Sequence, residues 1–229
     1  MIIHELAGRR EDHPVYRTLE AENGSRQYDF LRSIVAASLN IERPFFSQHI
    51  IKALNFHAIA CLHYDAGVYR PWLVEVGQHK PPEHFRVPAL MDDFVNEVNR
   101  AWDKSDPVVL ATHVLWRLNN IHPFINGNGR TARAACYFVL CLRAGGWLPG
   151  DPILPELIRR ERDEYCAALQ IAHDTHALTG NADLAPLHSI VAKLVTEQLG
   201  SAASSTVTSE VAVNPAASSS AVTAISPSH

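Results

Sequence analysis

Residues 122–133 read HPFINGNGRTAR, a glycine-rich turn between two segments whose apolar residues recur at helical spacing. The preceding segment, 107–121, begins with proline at the first helical position and has Asp106 as its N-cap. Pro123 disfavours a helical conformation in the residue before it, so this helix is predicted to end at the start of the quoted stretch. A second helix, which contains the apolar run 134–142, follows the turn. The chain is therefore predicted to be built around a helix–loop–helix.

The loop has the residue types of a phosphate site. Gly127 and Gly129 allow positive φ and a close approach of the backbone to a ligand. The loop amides point towards the free N-terminus of the second helix, where unpaired N–H groups and the helix dipole favour negative charge. Arg130 and Arg133 are three residues apart, so their guanidinium groups can bind phosphate oxygens from one face. His122 titrates near neutral pH and is the candidate general base.

These residues closely resemble the signature of Fic (fido) domain proteins, His-x-Phe-x-Asp/Glu-Gly-Asn-Gly-Arg-x-x-Arg. The resemblance implies an all-α fold: a helical bundle around the central helix–loop–helix, with a small β-hairpin flap. It also implies transfer of AMP from ATP to a hydroxyl of a target protein, with His122 deprotonating that hydroxyl. The residues that it implies for the triphosphate are Gly127, Asn128 and Gly129 at the α-phosphate, and Arg130 and Arg133 at the β- and γ-phosphates.

One position departs from the family pattern. Asn126 stands where the family usually has an acidic residue that binds Mg²⁺. A neutral amide oxygen is a weaker ligand for this hard cation than a carboxylate. We therefore expect a weakened magnesium site, with the ion held mainly by phosphate oxygens and water.

The N-terminal segment, residues 1–46, contains a second resemblance. A short helix is predicted to end at Asn23 and Gly24, and it carries Thr18-x-x-x-Glu22-Asn23, which is similar to the inhibitory motif of self-inhibited Fic proteins. In that motif the glutamate pairs with the second signature arginine, here Arg133, and blocks the γ-phosphate position. The alternative is a solvated helix without an inhibitory role.

The flap is predicted between two of the helices. Gly67-Val68-Tyr69-Arg70 resembles a Gly-x-Tyr-Arg element of Fic domains, and residues 72–76 alternate like a strand before a turn. The family's flap pairs with the target segment by strand addition, which orients its hydroxyl through main-chain bonds. The corresponding residues here are Val76, Gly77, Gln78 and His79. The alternative is a hairpin that only covers the core.

A later segment, residues 162–173 with the sequence RDEYCAALQIAH, resembles the Fic helix that borders the adenine. The candidate contacts to the base are Tyr165, Cys166 and His173. The alternative for all three is ordinary packing.

Composition and charge limit which partners and which cellular location we expect. The net charge of −4 and the pI near 6.3 do not favour nucleic-acid binding. No apolar run reaches bilayer length and the first residues lack a signal-peptide pattern, so we expect no membrane association and a cytoplasmic location with reduced cysteines. Residues 47–200 are predicted to form the Fic domain. Residues 201–229, rich in Ser and Ala, are predicted to form a disordered tail.

The favoured interpretation is a protein adenylyltransferase that uses ATP with Mg²⁺ and modifies a Ser, Thr or Tyr hydroxyl of a target protein. An inhibitor protein or a homodimer is a further partner that the resemblance allows. Two alternatives stay open. One is a Fic-fold enzyme with another nucleotide or phosphate donor, or one that removes AMP; the other is a catalytically weak ATP-binding regulatory protein.

Overall fold

The computed structural model describes residues 2–41 and 46–211, and within these ranges the chain is all-α. A single 3-10 turn, His84–Arg86, precedes the fourth α-helix. The α-helices of the described residues are, in chain order, α1 (Ile3–Leu6), α2 (Pro14–Leu39), α3 (Gln48–Ile59), α4 (Val87–Ala101), α5 (Pro107–Ile121), α6 (Asn128–Arg143), α7 (Leu154–Arg160), α8 (Arg162–Thr179) and α9 (Ala185–Val211).

Helices α5 and α6 form the centre of the bundle. Every residue from Ala134 to Leu142 of α6 is buried, and a helix that is apolar on all sides has to be surrounded by other elements. Helices α2, α3 and α7 pack against α6, while α4, α8 and α9 pack against α5. The predicted central helix–loop–helix is therefore confirmed.

The start of α5 follows the predicted capping. The Asp106 carboxylate accepts hydrogen bonds from the amides of Val108 at 2.8 Å and Val109 at 3.1 Å, and Pro107 lies at the first helical position. The start of α5 could be predicted from local sequence because the capping residue and the amides that it binds lie within three residues of each other.

The predicted helix end at Asn23 and Gly24 is wrong. Helix α2 runs without a break through both residues. The Asn23 side chain is fully buried and its Nδ2 donates to the carbonyl of Ala60 at 2.8 Å. This long-range contact holds the segment helical, and it outweighs the modest helix penalty of glycine.

The N-terminal segment lies on α3. Ala7 and Tyr16 form a small second core with Ala58, Ile59 and Leu62, and the backbone of α1 donates to the carbonyls of Cys61 and Leu62. Residues 1 and 42–45 of the predicted 1–46 unit lie outside the described residues.

The flap is smaller than predicted. In place of a hairpin of two strands, the described residues contain one antiparallel bridge, between Val76 and His79, closed by a turn in which Gly77 has φ +55°. The turn is present, but the paired strands of the expected β-hairpin are not.

The C-terminal helix continues further than the composition indicated. Helix α9 extends to Val211, so residues 201–211 of the predicted tail are helical, while residues 212–229 lie outside the described part of the chain. Gln198 anchors this helix: it is buried, donates to the Tyr137 hydroxyl at 2.8 Å and accepts from the Leu154 amide at 2.8 Å. Once a helix is held in this way, adding residues to its end costs little.

No described helix has the length and hydropathy needed to span a bilayer.

Candidate active site

His122 lies at the C-terminal end of α5 in a left-handed conformation, with φ 51° and ψ 59°. Its amide donates to the carbonyl of Leu118 at 2.9 Å, and its own carbonyl accepts from Arg70 Nε at 2.8 Å. A non-glycine residue with positive φ needs support from its surroundings, and these two bonds supply it. The imidazole lies near Arg70, His79 of the flap and His173 of α8, and its Nδ1 is buried without a hydrogen-bond partner among the described residues.

Burial lowers the pKa of His122 to about 4, with further lowering from the nearby His79 and Arg70. The backbone of Asn119 acts in the opposite direction but is weaker than burial. The imidazole is therefore neutral at physiological pH, which is the form that a general base requires.

The loop between His122 and α6 is held by its own asparagine and by one from α3. Asn128 accepts from the Phe124 amide at 2.9 Å and donates to the Phe124 carbonyl at 2.8 Å, so its side chain is buried in the turn. Asn55 donates to the carbonyl of Asn126 at 2.9 Å and to the hydroxyl of Thr131 at 3.2 Å. The loop is thus preorganised by side-chain hydrogen bonds.

Gly127 is required at the turn for two reasons. Its φ is +76°, and a Cβ atom there would lie 2.7 Å from Ile59 Cγ2. The loop backbone consequently packs directly on α3.

The start of α6 offers free donors. Thr131 is the first residue of the helix whose amide bonds back to the loop, at 2.9 Å from the Gly127 carbonyl. The amides of Asn128, Gly129 and Arg130 have no acceptor among the described residues. Such a set of N–H groups at the positive end of a 16-residue helix is suited to an anion.

The two signature arginines differ in their present partners. Arg130 is occupied: it donates to the Ala58 carbonyl at 2.9 Å and to Asn126 Oδ1 at 3.0 Å, and it forms an ion pair with Glu20 at 3.2 Å. Arg133 has neither an ion pair nor a hydrogen bond within the described residues. Its Nη1 lies close to Gly129, 3.3 Å from where a Cβ would stand.

The predicted pairing of Glu22 with Arg133 is wrong. Glu22 is 63% exposed and lies 3.8 Å from Arg26, one turn along the same helix, while Thr18 donates to the Pro14 carbonyl. The acidic residue of α2 that reaches the loop is Glu20, because it lies three residues before the buried Asn23 and on the same helix face, whereas Glu22 lies on another face. Asn23 binds the Ala60 carbonyl and not the loop.

The arrangement at Asn126 does not fit a magnesium ion held by the protein. Its Oδ1 accepts from Arg130, and its Nδ2 donates to Glu11 Oε1 at 2.9 Å. The described residues contain no group of three His, Cys, Asp or Glu side chains placed to bind a metal. The role of Asn126 as a weak magnesium ligand stays a prediction.

A cleft of about 560 Å³ lies between the flap turn and α8, beside the end of α5. The His79 ring stacks on His173 with centroids 3.9 Å apart, and its Nε2 donates to the carbonyl of Asn120 at 2.8 Å. The Asn120 side chain in turn donates to His173 Nδ1 at 3.3 Å. The flap is thereby fastened to α5 and α8. Further cleft residues are Gln78, Lys80, Arg86, Arg117, Gln170 and Asp174.

The three adenine candidates do not lie together. His173 lines the cleft, whereas Tyr165 is buried in the core and its hydroxyl accepts from Asn119 at 3.0 Å. Cys166 is exposed on α8 and is absent from the cleft wall. Packing therefore accounts for Tyr165. Of the three candidates for contact with a nucleobase, only His173 lines the cleft.

Sequence reasoning missed three residues that the structure brings to the loop: Arg70, Asn55 and Glu20. Arg70 belongs to a quoted element but had no predicted role, and no sequence pattern marks Glu20. An asparagine on the apolar face of α3 was the one available hint, because a buried amide needs partners.

Comparison with known proteins gives a consistent result. A model of the Fic/DOC family matches residues 45–140. Among curated relatives, the Protein adenylyltransferase Fic of Drosophila willistoni is 33% identical over 125 residues, 53% of this chain and 24% of that protein. Its counterpart in Drosophila mojavensis is 32% identical over 162 residues, 69% of this chain and 30% of that protein.

Solved structures agree in fold. Fic-1 from C. elegans (residues 134–508) superposes with a TM-score of 0.66 at 25% identity, covering 83% of this chain and 52% of that one. A Fic domain containing signaling protein from Bacteroides thetaiotaomicron gives a TM-score of 0.63 at 23% identity, covering 81% and 74%. The chain spans only about a quarter to a third of the length of the curated relatives above.

Proposed function

This chain contains a Fic domain, and on that premise we propose that it transfers AMP from ATP to a Ser, Thr or Tyr hydroxyl of a target protein. The observation that carries the proposal is that a neutral, buried imidazole at the end of α5 is followed, after the five loop residues 123–127, by the unpaired amides at the start of α6. A site that only bound polyphosphate would have no use for a base held in this form.

The proposed chemistry is an in-line displacement at the α-phosphorus. His122 accepts the proton of the target hydroxyl, whose oxygen forms a bond to the α-phosphorus while the bond from that phosphorus to the β-phosphate oxygen breaks. Pyrophosphate leaves, and AMP remains on the target. The amides of Asn128, Gly129 and Arg130 stabilise the negative charge of the phosphates without having to reorganise.

The arginines hold the departing end of the nucleotide in this proposal. Arg133 is free to bind phosphate oxygens as it stands, whereas Arg130 has to exchange its ion pair with Glu20 for one with phosphate. Binding of ATP is therefore coupled to release of the α2 segment from the loop. Mg²⁺ would reach the site on the phosphate oxygens.

The cleft between the flap and α8 is the proposed place of the nucleobase, with His79 and His173 as the rings against which it stacks. The backbone of the flap residues Val76 to His79 is the proposed support for the target segment. The target protein, like a cytoplasmic location for the reaction, stays a prediction.

The experiment that tests the function follows two labels. The protein is incubated with lysate and ATP labelled at either the α- or the γ-phosphate, and labelled protein is counted. We expect label on protein from the α-position alone, and its loss in His122→Ala. The control is His188→Ala, since His188 lies on α9 away from the loop.

Each other outcome contradicts the proposal in a defined way. Label from the γ-position alone would show phosphorylation. The Glu20→Gln variant, in which Arg130 has lost its ion pair, is tested in the same way. If neither label reaches protein in the wild type or in this variant although ATP still binds, the protein is a nucleotide-binding regulatory protein.

A further inference from the structure

Arg70 is a buried cation that joins the flap to the residue bearing the base. It is 2% exposed and is the largest of the fully buried side chains. Its Nε donates to the His122 carbonyl at 2.8 Å, its Nη1 to the Trp72 carbonyl at 3.0 Å, and its Nη2 to the Pro82 carbonyl. Its backbone amide donates to the Pro123 carbonyl at 2.8 Å.

The acceptors of Arg70 lie in three different segments. Trp72 begins the arm that enters the flap turn, Pro82 ends the arm that leaves it, and His122 closes α5. One guanidinium group therefore fixes both arms of the flap relative to the base. A planar fork with donors on three nitrogens in fixed directions suits carbonyls from three different segments, whereas an ammonium group has all its donors on one nitrogen.

The absence of a carboxylate at Arg70 is the informative feature. No ion pair to this residue exists within the described residues. Burial lowers its pKa, and the weaker effect of Glu83 raises it. A buried charge is costly unless it is paired and hydrogen-bonded. Here only carbonyl dipoles offset the cost of burying the charge. No carboxylate among the described residues neutralises it, so the positive charge acts electrostatically on neighbouring groups.

We propose that Arg70 is a positioning residue of the transfer reaction, which holds both arms of the flap and the backbone of His122 in one arrangement and places a fixed positive charge beside the base. The inference rests on the proposed function. It assigns to Arg70 two separable contributions, one that depends on the shape of the guanidinium group and one that depends on its charge.

The charge acts on the protonation of His122. The groups that face this imidazole are Arg70 itself, His79 from the flap and His173 from α8, with the Asn119 backbone from α5. The two histidines are themselves neutral because burial lowers the pKa of each, to about 3 for His173. Arg70 is thus the permanent cation of the group, and it opposes a second positive charge on His122.

The test compares Arg70→Lys, which keeps the charge and loses the fork, with Arg70→Gln, which loses the charge as well. The pKa of His122 is measured by NMR titration of its imidazole, and flap mobility by hydrogen exchange of residues 72–82; neither readout needs turnover. We expect faster flap exchange in both variants, by about tenfold or more, and a raised pKa of His122 only in Arg70→Gln. The matched control is the same pair of substitutions at Arg100, which is exposed on α4.

Kinetics then connect the two contributions to the reaction. We expect Arg70→Lys to raise KM for the target segment with a nearly unchanged acid limb of kcat, and Arg70→Gln to shift that limb to higher pH as well. If both variants raise the pKa of His122 equally, or if neither changes it, the role of the charge is refuted; unchanged flap exchange refutes the role of the fork.

Failure of this inference can be distinguished from failure of the proposed function and from misfolding of the variants. If the wild type transfers no AMP but the titration and exchange results hold, only the proposed function fails. If both variants unfold, the test uses the wild-type protein. The ¹⁵N chemical shift of Arg70 Nε must then change with pH at the same midpoint as the signals of the His122 ring. An Nε chemical shift that stays constant through this titration overturns the inference.

Discussion

Glu20 Oε1 lies 3.2 Å from Arg130 Nη1, so a carboxylate from the N-terminal segment neutralises the first of the two arginines at the start of α6. The pair joins residues 110 positions apart in the sequence, and it is only partly exposed, with 41% of the Glu20 side chain and 20% of the Arg130 side chain accessible. A phosphate and this carboxylate require the same guanidinium group. The ion pair is therefore a competitor of the proposed nucleotide.

Glu20→Gln is expected to tighten ATP binding. A partly exposed ion pair contributes about 0.5–1 kcal/mol, so its loss from the free protein corresponds to a roughly 2- to 5-fold lower Kd. Isothermal titration with a non-hydrolysable ATP analogue measures this directly. Glu22→Gln is the matched control, because Glu22 lies on the same helix but pairs with Arg26. Equal effects of the two substitutions would refute specific competition at Arg130.

His122→Ala is expected to reduce transfer by about 100- to 10,000-fold, the usual contribution of a general base, while leaving the Kd for ATP nearly unchanged. In the wild type, the lowered pKa of about 4 keeps His122 neutral through the physiological range. The rate should therefore be flat from pH 8 to about pH 5 and fall below that. A single-turnover pH profile checks this, and an acid limb centred near pH 6.5 would show that the imidazole is not buried during the reaction.

Gly127→Ala is expected to distort the glycine-rich loop between α5 and α6. The substitution places a side chain at φ +76° and within 2.7 Å of Ile59 Cγ2. Gly145→Ala separates the two effects, since Gly145 has the same φ of +76° but open space around it. We expect a loss of unfolding free energy of about 1 kcal/mol for Gly145→Ala and about 2–3 kcal/mol for Gly127→Ala.

Nucleotide binding supplies the second readout for these glycines. Only Gly127→Ala should weaken it, because the amides that follow are displaced with the loop. Chemical denaturation and titration of the ATP analogue measure the two quantities, and equal losses of stability in both variants would refute the steric argument.

Asn126→Asp is expected to strengthen Mg²⁺ binding in the presence of the ATP analogue, by about tenfold, because a carboxylate replaces a neutral amide. The new charge also faces Glu11, which now accepts from the Asn126 amide, so the Glu11 segment should loosen. Calorimetric titration of Mg²⁺ tests the first effect, with Asn181→Asp on the surface as control. An unchanged Mg²⁺ affinity would exclude this position from the metal site.

Several features of the site could be predicted from the sequence because their causes are local. Asp106 and Pro107 determine the start of α5 within a single turn, and Pro123 explains why the helix ends at His122. The Gly-Asn-Gly segment determines the turn in the same way, since positive φ at Gly127 depends on the residue itself. The all-α fold followed from these elements and from the family resemblance.

Tertiary structure decided what depends on partners distant in the chain. The Asn23–Gly24 pair would end an isolated helix, but a buried bond from Asn23 to Ala60 keeps α2 continuous. The same bond turns the Asn23 face of α2 towards α3, so Glu20, three residues earlier on that face, reaches Arg130. The three carbonyls around Arg70 and the two contacts of Asn55 likewise join segments that no local pattern relates. Propensity and capping act over a few residues, whereas the neutrality of His122 comes from burial, and burial exists only once the bundle has assembled.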